Sequence, residues 1–257
     1  MSVTGKRIIV TGGSRGISAA AIETFTRAGA QVAVLGVSEE PGRRLAEKVT
    51  AEGPGTAAYY LADVSDVTHT RQALDLAVKA LGGLDALVNV AGVEMHAPAE
   101  TLSEEDWDRV FAVNTKGTFF TAQAALPYLK AHGGCVINFA SDVALVPYPG
   151  GAHYSAAKGA VHSLTRTLAA EWGRHGIRVN AVNPMMWTDG YENYRSRMSP
   201  EELAAHDAQQ VHVIPLGGKL GDPVGDLAPV LKFLVSDDSR FITGQIISVN
   251  GGAIQVR

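Results

Sequence analysis

Seven short apolar runs alternate with six longer segments of helical periodicity along the whole chain, and this alternation constrains the fold more than any other feature. The runs fall at residues 7–10, 31–35, 56–61, 86–90, 135–139, 178–182 and 246–249. The helical segments fall at 17–29, 41–52, 67–81, 103–130, 154–175 and 223–236. Several runs are nearly unbroken in Val, Ile, Leu and Ala, the pattern of strands covered on both faces. Strands separated by helices imply a parallel sheet with helices on both sides, so a three-layer α/β fold is expected. The 257 residues, 46% of them hydrophobic, suit one large domain spanning 1–257. No linker, repeat or low-complexity stretch divides them. One segment, 185–220, is too long for a plain connection and is expected to be functional.

The first run leads into Thr11-Gly-Gly-Ser-Arg-Gly-Ile-Ser18 and then into a helix. Glycines at such a turn let the backbone approach a pyrophosphate, which the helix N-terminus attracts. Gly12 and Gly16 fit a T-G-x-x-x-G spacing. The third glycine expected for close helix–strand packing is Ser18, small enough to be tolerated. The second run ends Leu35-Gly-Val-Ser38, with no acid at Gly36 to accept from a ribose 2′-hydroxyl, and Arg15 is placed to face a 2′-phosphate. NADP(H) is therefore favoured over NAD(H). An aspartate introduced at Gly36 is expected to shift the preference toward NADH. Glu39 and Glu40 read as the solvated first turn of the next helix. Asp63, followed by Val64 at the end of the third run, is either an acceptor for an adenine amino group or a turn residue. Asn89-Val-Ala-Gly92 closes the fourth run, with Ala91 and Gly92 leaving room for ribose and nicotinamide. Asn114 is a poor interior helix former. It marks either a bend that holds a water or a residue facing a polar pocket.

Past the fifth run stands Ser141, and thirteen residues on, Tyr154-Ser-Ala-Ala-Lys158 opens a helical segment. Residues four apart share a helix face. A tyrosine hydroxyl titrates near pKa ~10 and is a poor acid or base at neutral pH. A neighbouring ammonium favours the phenolate and is expected to lower that value. The insertion at 185–220 holds Met185, Met186, Trp187, Tyr191 and Tyr194, then Ser199-Pro-Glu-Glu, a convincing helix start. These side chains either cover an apolar substrate or pack the segment onto the body. Glu94, Met95 and His96 follow Gly92 as further candidates for the pocket wall.

Taken together, Thr11–Ser18, Asn89–Gly92, Asn114, Ser141, Tyr154-x-x-x-Lys158, Asn183-Pro184 and Thr243-Gly-Gln…Asn250-Gly-Gly resemble the short-chain dehydrogenase/reductase family over the whole chain. The resemblance implies a Rossmann-type sheet of order 3-2-1-4-5-6-7 and an NAD(P)(H)-dependent oxidoreductase that interconverts a secondary alcohol and a ketone. Its implied catalytic residues are Asn114, Ser141, Tyr154 and Lys158. Tyr154 would exchange the proton, Ser141 would hold the substrate oxygen, Lys158 would hold the ribose, and Asn114 would keep a relay water. The implied cofactor contacts are Gly12, Ser14, Arg15, Gly16, Ile17, Asp63, Val64, Asn89, Ala91, Gly92, Tyr154, Lys158, Pro184 and Thr188. Thr188 stands one position earlier than the family pattern, which leaves its contact with the nicotinamide open. The family also points to a homotetramer, as does the helix from Tyr154, which is apolar or small on several sides. The alternative is a noncatalytic dinucleotide-sensing protein on the same fold, for which a Tyr–Lys pair is unnecessary.

The remaining features are exclusions. A net charge of -4 provides no basic footprint for nucleic acid. One cysteine, Cys135, rules out an internal disulfide framework. Eight histidines are scattered without metal-ligand spacing, so no metal is expected. No apolar run is long enough to span a membrane. Lys6-Arg7 leads straight into Ile8, with no secretory pattern, and a cytoplasmic location is expected.

Overall fold

In the computed structural model, which describes residues 1–255, strands and helices alternate as the periodicity predicts. The order is β1 (Arg7–Thr11), α1 (Gly16–Arg27), β2 (Gln31–Gly36), α2 (Glu39–Glu52), β3 (Thr56–Leu61), α3 (Val67–Leu81) and β4 (Ala86–Asn89). There follow α4 (Glu104–Phe111), α5 (Thr118–Leu129), β5 (Gly134–Phe139), α6 (Ala152–Trp172) and β6 (Ile177–Pro184). The chain closes with α7 (Asp189–Arg195), α8 (Pro200–Val213), α9 (Ala228–Val235) and β7 (Ile246–Val249). The seven strands form one sheet in the order β3-β2-β1-β4-β5-β6-β7. All pairings are parallel.

The unbroken apolar runs are explained by a core on each face of the sheet. Ile8 and Val10 face one cluster with Ile22 and Phe25 of α1 and Leu231 and Leu234 of α9. Ile9 and Leu87 face the other with Leu74 of α3, Leu129 of α5 and Trp172 of α6. Asp85 fastens β1 to the turn before β4. Its Oδ2 accepts from the Arg7 backbone N at 2.8 Å and from Arg7 Nε at 2.9 Å, and its Oδ1 from Nη2 at 2.8 Å.

Register brings the carboxyl ends of the strands to one edge. Thr11 pairs with Leu35 on one side and Asn89 on the other, and Asn89 pairs with Asn138. The chain passes from β3 on one edge to β4 beside β1, so the loops after β1 and β4 diverge and leave a crevice between them.

Two helical segments differ from the expectation: the one at 223–236 opens on a π-helical turn, Pro223–Leu227, before α9. The long helix at 103–130 is interrupted by a π-helical turn, Ala112–Gly117, between α4 and α5. Asn114 is at its centre, so the residue that disfavours a regular helix interior sits where the helix is not regular. Gly117 is required there for space: a Cβ on it would lie 2.8 Å from Val64 Cγ2 and 3.0 Å from the Val64 carbonyl oxygen.

Candidate active site

The glycine loop after β1 is built for close approach. Gly12 has φ +105°, and a Cβ there would lie 2.7 Å from Ser18 Oγ and 3.0 Å from the Ala91 backbone N. Ser18 is tolerated because its hydroxyl turns inward and donates to the Thr11 carbonyl at 3.4 Å. Thr11 in turn accepts from the Ala91 N–H at 3.1 Å, which ties the first loop to the fourth. Arg15 occupies the position before α1 with no side-chain cap, so the first amides of that helix keep their donors free. Gly16 adopts φ +52° there, and Ile17 is half-buried against the core. Ser14 Oγ is buried with no hydrogen-bond partner among the described residues. An orphaned hydroxyl, uncapped amides and a glycine cradle together fit an anionic pyrophosphate.

Beside this loop lies a cleft of about 350 Å³ lined by Gly12, Gly36, Asp63, Val64, Ala91 and Gly92, among others. The turn reading of Asp63 is the one its hydrogen bonds show. Its Oδ1 accepts from the Ser65 N–H at 2.9 Å and hydroxyl at 2.7 Å, forming the turn, while the residue lines the cleft. Glu39 and Glu40 pair with Arg43 at 2.8 Å and Arg44 at 3.5 Å along α2, which keeps both on the helix surface. Gly36 has a structural reason that its sequence context hides. A Cβ on it would lie 2.6 Å from Gly13 Cα and 3.0 Å from Gly13 N. An aspartate at Gly36 would therefore displace the glycine loop itself, and that exchange does not test cofactor choice.

Asn89 is buried at the end of β4, where its Nδ2 donates to Asn138 Oδ1 at 3.1 Å and to the Thr118 carbonyl at 3.3 Å. Asn114 is also buried. Its Nδ2 donates to the Val93 carbonyl at 2.8 Å and the Val110 carbonyl at 3.0 Å, and its Oδ1 accepts from the Val93 N–H at 3.2 Å. The side chain thus clamps the loop after β4 from both directions. Gly92 permits this: a Cβ on it would lie 2.7 Å from Asn114 Oδ1 and 3.5 Å from Lys158 Nζ.

Tyr154 and Lys158 share a face of α6, with Lys158 Nζ 5.6 Å from the centroid of the Tyr154 ring. The ammonium donates to the Phe139 carbonyl at 2.8 Å at the end of β5. Burial acts on both groups. It pulls Lys158 down to about 8, with Glu94 opposing. It pushes the Tyr154 phenol up, with Glu94 adding to the rise and the nearby Ser141 hydroxyl working against it. The lowering of Tyr154 expected from Lys158 is therefore not what these side chains produce, because desolvation of the phenolate dominates.

Ser141 precedes a short turn and accepts from the Val143 N–H at 3.3 Å. Its neighbour Asp142, absent from the sequence reasoning, is the hub of a buried network. Asp142 Oδ1 accepts from Asn183 Nδ2 at 2.9 Å and Ser248 Oγ at 2.6 Å, and Oδ2 accepts from Asn250 Nδ2 at 2.6 Å. Asn183 Oδ1 lies 2.9 Å from His162 Nε2 on α6. This network explains why Asn183-Pro184 and Asn250-Gly-Gly accompany Ser141: three strand ends and α6 meet on one carboxylate. An acid directly after Ser141 was the only sequence signal for it.

The segment at 185–220 is folded, with α7 and α8 lying between the two sides of the Met186–Gly221 bridge. Of the two roles left open, packing is the one the contacts of these side chains show. Met186 is buried in the core, and Trp187 meets Tyr191 edge-on at 5.1 Å with the Arg195 guanidinium 4.8 Å from the Trp187 ring. Pro184 ends β6 opposite Val249. Thr188 caps α7 by accepting from the Tyr191 N–H at 3.3 Å. It also faces the glycine loop, its Cβ 3.8 Å from where a Cβ on Gly16 would lie. No residue group of metal-ligand type occurs among the described residues, and no described helix is long and apolar enough to cross a membrane.

A parallel sheet of this order, with a dinucleotide-type crevice at its switch point, defines a Rossmann-type fold. The profile of the family described as short chain dehydrogenase matches residues 6–198, and the chain belongs to that family. It is similar to 4-formylbenzenesulfonate dehydrogenase of Comamonas testosteroni, 38% identical over 98% of this chain and 99% of the relative. It is also similar to a 3-oxoacyl-[acyl-carrier-protein] reductase of Thermotoga maritima, 35% identical over 99% of this chain and all of the relative. Among solved structures, a gluconate 5-dehydrogenase from Burkholderia cenocepacia in complex with NADP and tartrate superposes with TM-score 0.90. It is 31% identical, covering 98% of this chain and 96% of that one. The chain is thus an NAD(P)-dependent short-chain dehydrogenase/reductase acting on CH–OH groups.

Proposed function

We propose that the chain interconverts a secondary alcohol and a ketone with NADP(H), using Tyr154 as general acid and base. The observation that carries this reading is the pairing of Tyr154 with Lys158 on one face of α6, beside Gly92 and Ser141 at the carboxyl edge of the sheet. The nicotinamide supplies the hydride chemistry when bound. Tyr154, kept protonated by burial, donates its proton to a carbonyl oxygen in the reductive direction and recovers it from the alcohol in the other. Ser141 donates to the same oxygen and stabilises the charge that develops on it. Lys158 holds the ribose side of the pocket. Asn114 acts by position, since its side chain is spent on Val93.

The glycine loop, Ser14 and the α1 amides would hold the pyrophosphate, and Arg15, exposed beside them, would pair with a 2′-phosphate. Arg15→Ala should weaken NADPH selectively. A charge-assisted hydrogen bond contributes about 1.5–3 kcal/mol, so the kcat/KM ratio for NADPH over NADH on one ketone should fall by roughly tenfold. An unchanged ratio would make Arg15 an ordinary surface residue.

The decisive experiment is Tyr154→Phe assayed by absorbance of the reduced cofactor on a panel of ketones. The ring stays and the proton donor goes, so turnover should drop by roughly 10²–10⁴-fold with cofactor affinity nearly unchanged. Near-normal turnover would sink the mechanism.

We further propose that the chain assembles as a homotetramer. What supports this is a mainly apolar surface groove formed by Phe111, Phe119, Phe120 and Leu164 of α4, α5 and α6 with Ala112 of the intervening π turn, and edged by Asp108 and Lys116. A second copy presenting the same helices would cover it by two-fold symmetry.

A further inference from the structure

Glu94, His96 and Tyr148 form a polar cluster beside Tyr154 that the proposed proton transfer does not use. Glu94 and His96 lie on the loop after β4, two and four residues beyond Gly92, and Tyr148 lies on the turn that leads into α6. The two loops are pinned together by the Ala97 N–H, which donates to the Gly150 carbonyl at 2.9 Å. Tyr148 donates its hydroxyl to Glu94 Oε1, and His96 Nε2 lies 3.1 Å from the same oxygen. The Tyr148 ring centroid is 6.4 Å from that of Tyr154. Glu94 Oε1 is therefore saturated, while Oε2 takes no hydrogen bond among the described residues. About half of the Glu94 side chain is exposed, 45% by area. A carboxylate in this state is a fixed acceptor, aligned by two neighbours and still open on one side.

The charges around it are one-sided. The stretches that surround Tyr154, residues 92–103, 141–153 and 185–194, contain no lysine or arginine. Lys158 is buried and committed to the Phe139 carbonyl. Arg195 on α7 is paired with Asp207 on α8 and packed over Trp187, and the Trp187 N–H is spent on Glu192 at 2.9 Å. Arg109 of α4 lines the cleft beside the glycine loop, with Gly36, Asp63 and Val93. On the side of Tyr148 and His96, a substrate carboxylate, sulfonate or phosphate would meet Glu94 with no cation from these stretches to offset it. A hydroxyl would find an acceptor.

We propose that Glu94, held by Tyr148 and His96, selects the substrate, admitting uncharged hydroxyl-bearing ketones and alcohols and rejecting their anionic counterparts. This rests on the carbonyl chemistry proposed above. The site then takes polyol-like or hydroxyketone substrates, with the hydroxyl donating to Glu94 while the carbonyl lies at Tyr154 and Ser141.

The test uses three matched ketones with NADPH: cyclohexanone, 4-hydroxycyclohexanone and 4-oxocyclohexanecarboxylate. In the wild type, kcat/KM for the hydroxyketone should exceed that for the ketoacid by about tenfold or more. Glu94→Gln, which removes the charge and keeps an amide oxygen, should shrink that ratio at least fivefold. Tyr148→Phe, which frees Glu94 Oε1 with little change of shape, should shrink it less and serves if Glu94→Gln does not fold. Dissociation constants of the hydroxyketone and the ketoacid for the protein–NADPH complex, by calorimetry, report the same selection without turnover. Absence of turnover on all three ketones, with the binding preference intact, would refute the carbonyl chemistry and leave the selection standing. Equal use or equal binding of hydroxyketone and ketoacid by the wild type, or a ratio that Glu94→Gln leaves unchanged, would overturn the proposal.

Discussion

Burial drives Tyr154 and Lys158 toward their neutral forms, from opposite directions of the pH scale. The phenol is raised by desolvation first and Glu94 second. The ammonium is lowered by desolvation to about 8, with Glu94 resisting. A buried lysine below its ordinary value has a signed consequence for stability. Below pH 8 both folded and unfolded chains carry the proton, and the folded state bears the full cost of the buried charge. Between pH 8 and the ordinary lysine value of 10.5 the unfolded chain binds more protons, so stability rises with pH across that window. The urea midpoint of the cofactor-free wild type should therefore climb from pH 8 to pH 9.5 relative to Lys158→Met, which lacks the group. Parallel midpoints would show that the ammonium is not desolvated. The Tyr–Lys spacing was legible because it is local, four residues on one helix. Asp142 was not, because its partners Asn183, Ser248 and Asn250 are supplied by β6, β7 and the turn after it, as many as 108 residues away.

At the scale of elements, α7 and α8 differ from the other α-helices because neither has a buried residue. Their order comes from a few polar contacts. Ser199 and Glu202 form a reciprocal capping box at the start of α8, and Tyr191, His206 and Gln210 cluster between the two helices. Loss of the cap should cost about 1 kcal/mol, felt locally because the core does not depend on these helices. Ser199→Ala should speed amide exchange in residues 201–213 by roughly fivefold, equivalent to that energy, with the global urea midpoint unchanged. A global loss instead would mean that α8 unfolds with the sheet. The α8 start was legible from Ser199-Pro-Glu-Glu, since a capping box is a local pattern. The π turn at Ala112–Gly117 was only half legible. Asn114 flagged an irregularity, but its form is decided by contacts with Val93 and Val64 on other loops.

At the scale of the whole molecule, the groove along Phe111, Phe119, Phe120 and Leu164 and the apolar breadth of α6 are what the proposed homotetramer rests on. Light scattering at micromolar concentration should give four times the mass of one chain, and Phe119→Glu, which places a charge in the groove, should reduce it. A wild-type monomer would contradict the assembly. What the sequence determined by itself was whatever depends on short-range periodicity. Seven strands, the helices between them, the glycine turn before α1 and the shared face of Tyr154 and Lys158 all follow from residues within a few positions of one another. The tertiary structure alone decided which distant residues meet. It set Gly36 against Gly13, so that the end of β2 has no room for a side chain. It gathered strand ends on Asp142, and it placed Glu94 on Tyr148 across 54 residues. The physical reason is that hydrogen bonds and van der Waals contacts act over a few ångströms of space, and only the packed sheet converts distance along the chain into proximity.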